Sequence, residues 1–201
     1  MKGIEVITAL KDLINDNDVI VSSNGNISRE AFHVLPKPQV YLRGSMGLPV
    51  PVGLGLALAK PDKRIIVITG DGNFLMGLGS FVTSAFYKLK NLKILILDNM
   101  QYFTTGGQQT VSSAINYSKF LDSFDIGYKQ SKKADPNQIK NDLAEFINTD
   151  SFSVLHLTIQ ASKENLENIP WHPEIIAEKI ISKLTNKDYR LSSRKPLARK
   201  Y

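Results

Sequence analysis

The sequence predicts one α/β domain, a doubly wound parallel sheet with helices on both faces. Three observations carry that prediction. Residues 65–69 (IIVIT) and 93–97 (KILIL) are almost continuous β-branched or aliphatic runs, the composition of strands covered on both faces. The text between them, 74–89, has the spacing of an amphipathic helix. Strand and helix patterns then alternate along the rest of the chain with short connections, as in doubly wound sheets.

Each element has its own justification. Ile4, Ile7, Leu10, Leu13 and Ile14 recur at helical spacing, so 3–15 reads as a helix. Asp18 to Ser23 is a short buried strand that ends at the turn Asn24-Gly25-Asn26. Ser28 is placed as the N-cap of a short helix, which Pro36 and Pro38 end. Val40-Tyr41-Leu42 is a second short strand. GSMGLPVPVGLGLALAK follows as a glycine turn and a small-residue helix ending before Pro61. After the second long strand comes a glycine-rich loop, Thr104 to Gly107, and a helix expected over 112–122. Asp135-Pro136 opens a helix to about residue 148, with proline in its first turn. Residues 153–159 make the last strand and 173–184 the last helix. The domain is therefore placed at 1–185, with a basic C-terminal tail at 186–201.

Composition narrows the function classes. With 201 residues, 42% of them hydrophobic, the chain can bury a substantial core. Cysteine is absent, which removes disulfides, thiolate metal sites and a cysteine nucleophile together. The N-terminus lacks the unbroken apolar core of a signal peptide. The longest apolar-looking segment, 48–59, contains two prolines and two glycines and is too short to span a bilayer. A cytoplasmic location is the expectation. The net charge of +6 does not mark a nucleic-acid binder. Six of the 25 basic residues and one of the 19 acidic ones fall after residue 186, leaving the body at a net +1. No aromatic-interleaved basic stripe accompanies the tail.

The chemistry concentrates at two strand ends. The first long run closes in Gly70-Asp71-Gly72, and Asn99 follows Asp71 by 28 residues at the end of the second. Ligands of open α/β sheets bind outside the carboxyl ends of the strands. A carboxylate and an amide oxygen converging there suit a hard cation such as magnesium, which in turn clamps a diphosphate. Gly70 and Gly72 let the backbone approach a ligand closely, and a helix opening near Asn73 favours a phosphate. The plain alternative is that Asp-Gly is a common turn and asparagine a common strand terminator. A dinucleotide fingerprint would need glycine at Leu75, and no GxxxxGK[ST] occurs. His33, His156 and His172 share no metal-ligand spacing or triad order and read as structural.

The residues GSMGLPVPVGLGLALA, GDGNFLMGLGSF and LDNMQYFTTGGQQT together resemble the thiamine-diphosphate-dependent 2-oxoacid decarboxylases. The likeness is to sulfopyruvate decarboxylase β subunits and the C-terminal half of phosphonopyruvate decarboxylases, and it covers roughly 24–110. The resemblance implies the diphosphate-binding domain type of this fold, with thiamine diphosphate and magnesium as cofactors. It implies that Asp71, Asn99 and the Gln101 carbonyl ligate the metal, while Gly70, Gly72 and Asn73 face the diphosphate. It implies that Met46, within Gly44-Ser45-Met46-Gly47, wedges the cofactor into a V, and that the Gly44 carbonyl accepts from the aminopyrimidine. Met46 as an ordinary core filler is the alternative. Asn26 is placed as a phosphate contact and Tyr102 and Thr104 as cofactor-binding residues; the loop from Thr104 to Gln108 is expected to close over the cofactor or substrate, a flexible turn without a ligand role being the alternative.

The family's activating glutamate sits on a second domain for which this chain has no room, and Glu5, Glu30 and Glu145 lack its context. The resemblance therefore implies a partner subunit, hetero- or homo-oligomeric, and no catalytic acid on this chain. The small-molecule substrate that the resemblance implies is an anionic 2-oxo acid, sulfopyruvate or 3-phosphonopyruvate. Arg43, Gln108 and Gln109 lie near the right motifs for its extra anion. Three alternatives stay open: another thiamine-dependent carboligase, a 2-oxoacid oxidoreductase β subunit, or a non-catalytic cofactor-binding module.

Overall fold

The computed structural model describes residues 1–131, 135–161 and 166–190. The chain runs α1 (Gly3–Lys11), β1 (Asp18–Ser22), α2 (Asn26–Val34), β2 (Val40–Tyr41) and α3 (Pro49–Ala59). Then come β3 (Arg64–Gly70), α4 (Asp71–Met76), α5 (Leu78–Tyr87) and β4 (Leu92–Asp98). A small hairpin, β5 (Gln101–Tyr102) and β6 (Gln108–Gln109), leads to α6 (Tyr117–Asp122) and β7 (Gly127–Ser131). The chain continues with α7 (Pro136–Asn148), β8 (Ser153–Thr158) and α8 (Pro173–Thr185).

Six strands form one sheet in the order β2-β1-β3-β4-β8-β7, and every neighbouring pair is parallel. Alternation along the strands sends side chains to two separate cores. Ile66, Ile68, Leu95 and Leu97 pack with Val6, Ile7 and Leu10 of α1 and with Leu143 and Phe146 of α7. Ile65, Val67, Ile94 and Ile96 pack on the other face with Val50 and Leu54 of α3, Phe74 of α4 and Phe81 of α5. α8 contributes Ile176 to the first core and Ile180 to the second. The doubly wound architecture expected from the sequence is the one observed. α3 lies tight against the sheet because residue 53 is glycine: a Cβ there would come within 2.2 Å of the Val67 side chain.

Several local expectations need correction. The first helix ends at Lys11 rather than at residue 15. Ser28 is not an N-cap. α2 begins at Asn26 with Gly25 at φ +81° before it. The Ser28 hydroxyl lies inside the helix, 2.6 Å from the Ser23 carbonyl and 2.9 Å from that of Leu42. The helix expected over 74–89 starts earlier, at Asp71, and is broken in two at Gly77. A Cβ on Gly77 would meet the Gly47 carbonyl oxygen at 2.3 Å, so the break lets the 44–47 loop pack closely. The helix expected over 112–122 is a 3-10 turn, Val111–Ala114, followed by α6. Edge strand β7 went unforeseen, because GYKQS offers no apolar run. In the tail placed at 186–201, Lys187 and Arg190 are exposed, whereas 191–201, with Arg194, Lys195, Arg199 and Lys200, lie outside the described residues. No helix among the described residues is long and apolar enough to cross a membrane.

Candidate cofactor site

The strand order fixes where a ligand can sit. From β1 the chain crosses to β2 on one side, then returns past β1 to β3 and continues outward to β4. The direction reverses between β1 and β3, and the crevice outside the carboxyl ends of strands at such a reversal is the binding position of open α/β sheets. A cleft of about 170 Å³ lies there. Its walls are residues 23–27, from the end of β1 into the first turn of α2, residues 70–73, from the end of β3 into the first turn of α4, and Leu97 and Asn99 at the end of β4. The stretch Gln101–Thr105, made of β5 and the 3-10 turn after it, forms another wall.

Asp71 is a buried carboxylate of this cleft, only 2% exposed. Burial pushes its carboxyl up to about 6, the nearby Asp98 adds to the rise, and the hydrogen bond from the Thr110 hydroxyl opposes it. Asp98, one strand over and also buried, is held below the usual carboxylate range. Burial pushes it up, but hydrogen bonds from His156 and Ser112 outweigh that effect. His156 Nε2 donates to Asp98 Oδ2 at 2.9 Å, and its Nδ1 accepts from Gln130 at 3.0 Å, which selects one tautomer. Tyr117 stacks on the imidazole with ring centroids 4.0 Å apart and lies 3.0 Å from the Ser112 hydroxyl. Asp98 Oδ1 accepts from the Met100 amide at 2.9 Å, and Asn99 Oδ1 accepts from the Gln101 amide at 3.0 Å. These two bonds shape the turn that presents Asn99, with Met100 in the left-handed region at φ +58°.

Ten of the twelve residues expected at the site line the one cleft: Asn26, Met46, Gly70, Asp71, Gly72, Asn73, Asn99, Gln101, Tyr102 and Thr104. Gly44 and Ser45 do not. Both are exposed on the same loop as Met46, with Ser45 at φ +60°. Asn73 has a structural task as well, since its side chain accepts from the Gly47 amide and donates to Asn24 Oδ1, each at 2.9 Å. It ties the segment before α2, the 44–47 loop and the first turn of α4 together. The Tyr102 ring packs on Gly72 so closely that a Cβ there would come within 2.3 Å of it. Glu30, without context in the sequence, also lines the cleft and packs against Gly3 at the start of α1. Gln108 and Gln109 are exposed on β6 and do not line it.

A family model for the C-terminal, thiamine pyrophosphate-binding domain of thiamine pyrophosphate enzymes matches residues 23–157. That range holds nearly all the walls of the cleft. The chain belongs to this family. The domain is 31% identical to the sulfopyruvate decarboxylase β subunit of Methanothermobacter thermautotrophicus, covering 92% of this chain and 96% of that subunit. It is 35% identical to the phosphonopyruvate decarboxylase of Streptomyces viridochromogenes over 77% of this chain, but spans only 39% of that enzyme. In fold it matches a solved protein from Mycobacterium smegmatis, described as thiamin diphosphate-dependent, with a TM-score of 0.67 at 20% identity. That match covers 81% of this chain and 32% of the other. The likeness read from the three sequence motifs is thereby borne out, and thiamine diphosphate is the cofactor of the family.

Proposed function

We propose that this chain is the diphosphate- and magnesium-binding subunit of a thiamine-dependent decarboxylase that acts on an anionic 2-oxo acid, sulfopyruvate or 3-phosphonopyruvate. One observation carries the reading. The side chains of Asp71 and Asn99 open from adjacent parallel strand ends onto a single cleft at the reversal point of the sheet.

The residues present suit a magnesium diphosphate. Among the described residues no group of three or more His, Cys, Asp or Glu could hold a metal ion. The ion would instead take the Asp71 carboxylate, the Asn99 amide oxygen and the Gln101 carbonyl, with ligand oxygens and water completing its shell, as magnesium does with phosphates. Positive charge beside Asp71 would offset the burial that now opposes its ionisation. Gly72 and Asn73 would offer backbone donors to the diphosphate, and Met46 would support the bent cofactor from the side, near the Gly44 carbonyl. Thiamine diphosphate, when bound, supplies the carbon nucleophile and the electron sink for loss of carbon dioxide. The chain's own part is binding, orientation and exclusion of water.

A partner subunit is part of the reading. The relative that this chain spans almost end to end is itself named a β subunit, and the phosphonopyruvate decarboxylase it resembles is about twice as long. α4 and α5 leave Met76, Val82 and Phe86 exposed, apolar surface that suits association. Reconstitution tests the reading: purified chain is mixed with the partner that carries the activating glutamate, and aldehyde release is followed from both substrates. Release that needs both chains and magnesium is expected. Release by this chain alone would remove the partner from the account.

A further inference from the structure

The cofactor cleft has a neighbour. Behind Gly25 and Thr104 lies a second recess of about 230 Å³ that shares Asn24, Gly25 and Thr104 with the cleft. The partition is thin: a Cβ on Gly25 would stand 3.3 Å from the Thr104 side chain. What distinguishes the recess is its charge. Arg29 from α2 and Arg43 from the segment after β2 both line it, and among the described residues no carboxylate does. Among the described residues neither arginine pairs with an acid. Each instead donates from Nη1 to a backbone carbonyl of one segment, Arg29 to Leu166 at 3.3 Å and Arg43 to Trp171 at 3.1 Å.

Those bonds hold both guanidinium groups at the wall, and among the described residues each uses one of its five donors. The Ser28 hydroxyl, between the carbonyls of Ser23 and Leu42, ties the floor together. Two like charges brought to one concavity, with no counter-charge lining it among the described residues, repel, and a bound anion would relieve that repulsion. Guanidinium groups match the geometry of tetrahedral oxyanions through paired hydrogen bonds. Asn24 and Asn168 add amide donors.

We propose that the Arg29–Arg43 recess is a subsite for a tetrahedral oxyanion held next to the diphosphate cleft. The anion has two possible sources: the second anionic group of the substrate, a sulfonate or phosphonate, or the terminal phosphate of the cofactor. The assignment of the source rests on the function proposed above, whereas the anion site itself does not.

Inorganic phosphate is the test ligand, titrated into the full chain by calorimetry and by thermal melting. Wild type binds it, and Arg43→Gln and Arg29→Gln each weaken that binding at least tenfold. Arg43 is exposed, so its variant keeps the test valid if Arg29→Gln fails to fold. Lys140→Gln, on the exposed face of α7, binds as wild type does, which separates a site from general attraction to a basic protein. Phosphate binding that both arginine variants retain, or that Lys140→Gln loses equally, overturns the proposal. The titration is then repeated with thiamine diphosphate and magnesium. Competition assigns the recess to the terminal phosphate of the cofactor, and additive binding assigns it to the anion of the substrate. If cofactor and magnesium leave the melting temperature of wild type unchanged, the reading of the main cleft fails, while the phosphate titration still decides the recess.

Discussion

Replacing Asp71 by asparagine should stabilise the metal-free chain at neutral pH while removing its response to magnesium and cofactor. The magnitude follows from burial. The carboxyl is pushed from 3.8 to about 6, so at neutral pH the folded state holds a charge that it disfavours. A rise of about two pH units corresponds to about 3 kcal/mol at 1.36 kcal/mol per unit, taken as an upper bound. The folded value lies above the unfolded one. The favourable state is therefore complete below about pH 4, and stability is lost as pH rises towards 6. Asparagine stays neutral throughout, so its stability curve is flatter in that window. Its amide oxygen can still accept from Thr110, which bonds Asp71 in the native chain. For a domain of this size the gain would raise the melting temperature by up to roughly 6–12 °C. The assay is thermal unfolding of both proteins with EDTA at pH 4.5, 6 and 7.5, repeated with magnesium and thiamine diphosphate. Native protein gains stability by mass action once the ligand is in excess, and the variant does not. A variant less stable than wild type at pH 7.5 in EDTA, with an unchanged pH slope and a full ligand response, would refute the reasoning.

Three further outcomes follow from the same geometry. Gly72→Ala drives a methyl into the Tyr102 ring, so the melting temperature shift caused by cofactor and magnesium should fall by at least half, while circular dichroism stays native. His156→Ala leaves buried Asp98 without its imidazole partner. It should cost about 2–4 kcal/mol in urea unfolding and weaken magnesium-dependent cofactor binding, because the Asn99 turn hangs on Asp98; an unchanged denaturation midpoint would remove the buttress. Gly53→Ala, whose Cβ would meet the Val67 side chain at 2.2 Å, should destabilise by about 1–3 kcal/mol in the same assay with cofactor affinity retained.

The strands 65–69 and 93–97 were legible because continuous apolar runs have few alternatives in a two-sided sheet, and they set the positions of Asp71 and Asn99. Gly70, Gly72 and Asn73 were legible for the same reason, since they follow a strand end directly. Residues 101–114 were not. A short hairpin and a 3-10 turn owe their shape to Gly106 and Gly107 at positive φ and to Thr110 bonding Asp71, contacts that no periodicity announces. β7 is polar and at the sheet edge, so it lacks the signature that marked its neighbours. His156 read as structural from the sequence, and its strand context carried more: a polar side chain inside the run SVLHLT is expected to be buried, and a buried imidazole needs partners. Those partners, Asp98, Gln130 and Tyr117, come from separate elements and meet only in the fold. The Arg29–Arg43 recess is of the same kind, assembled from residues 14 apart in sequence whose common wall depends on the 166–171 segment.

The most direct measurement is crystallographic. Crystals of the full chain, soaked with thiamine diphosphate and manganese, would locate the ion by its anomalous signal. The account predicts a peak within coordination distance of an Asp71 carboxylate oxygen and the Asn99 side-chain oxygen, next to the bound cofactor. A cofactor bound without an ion there, or an ion held elsewhere while those two oxygens stay bare, would contradict it.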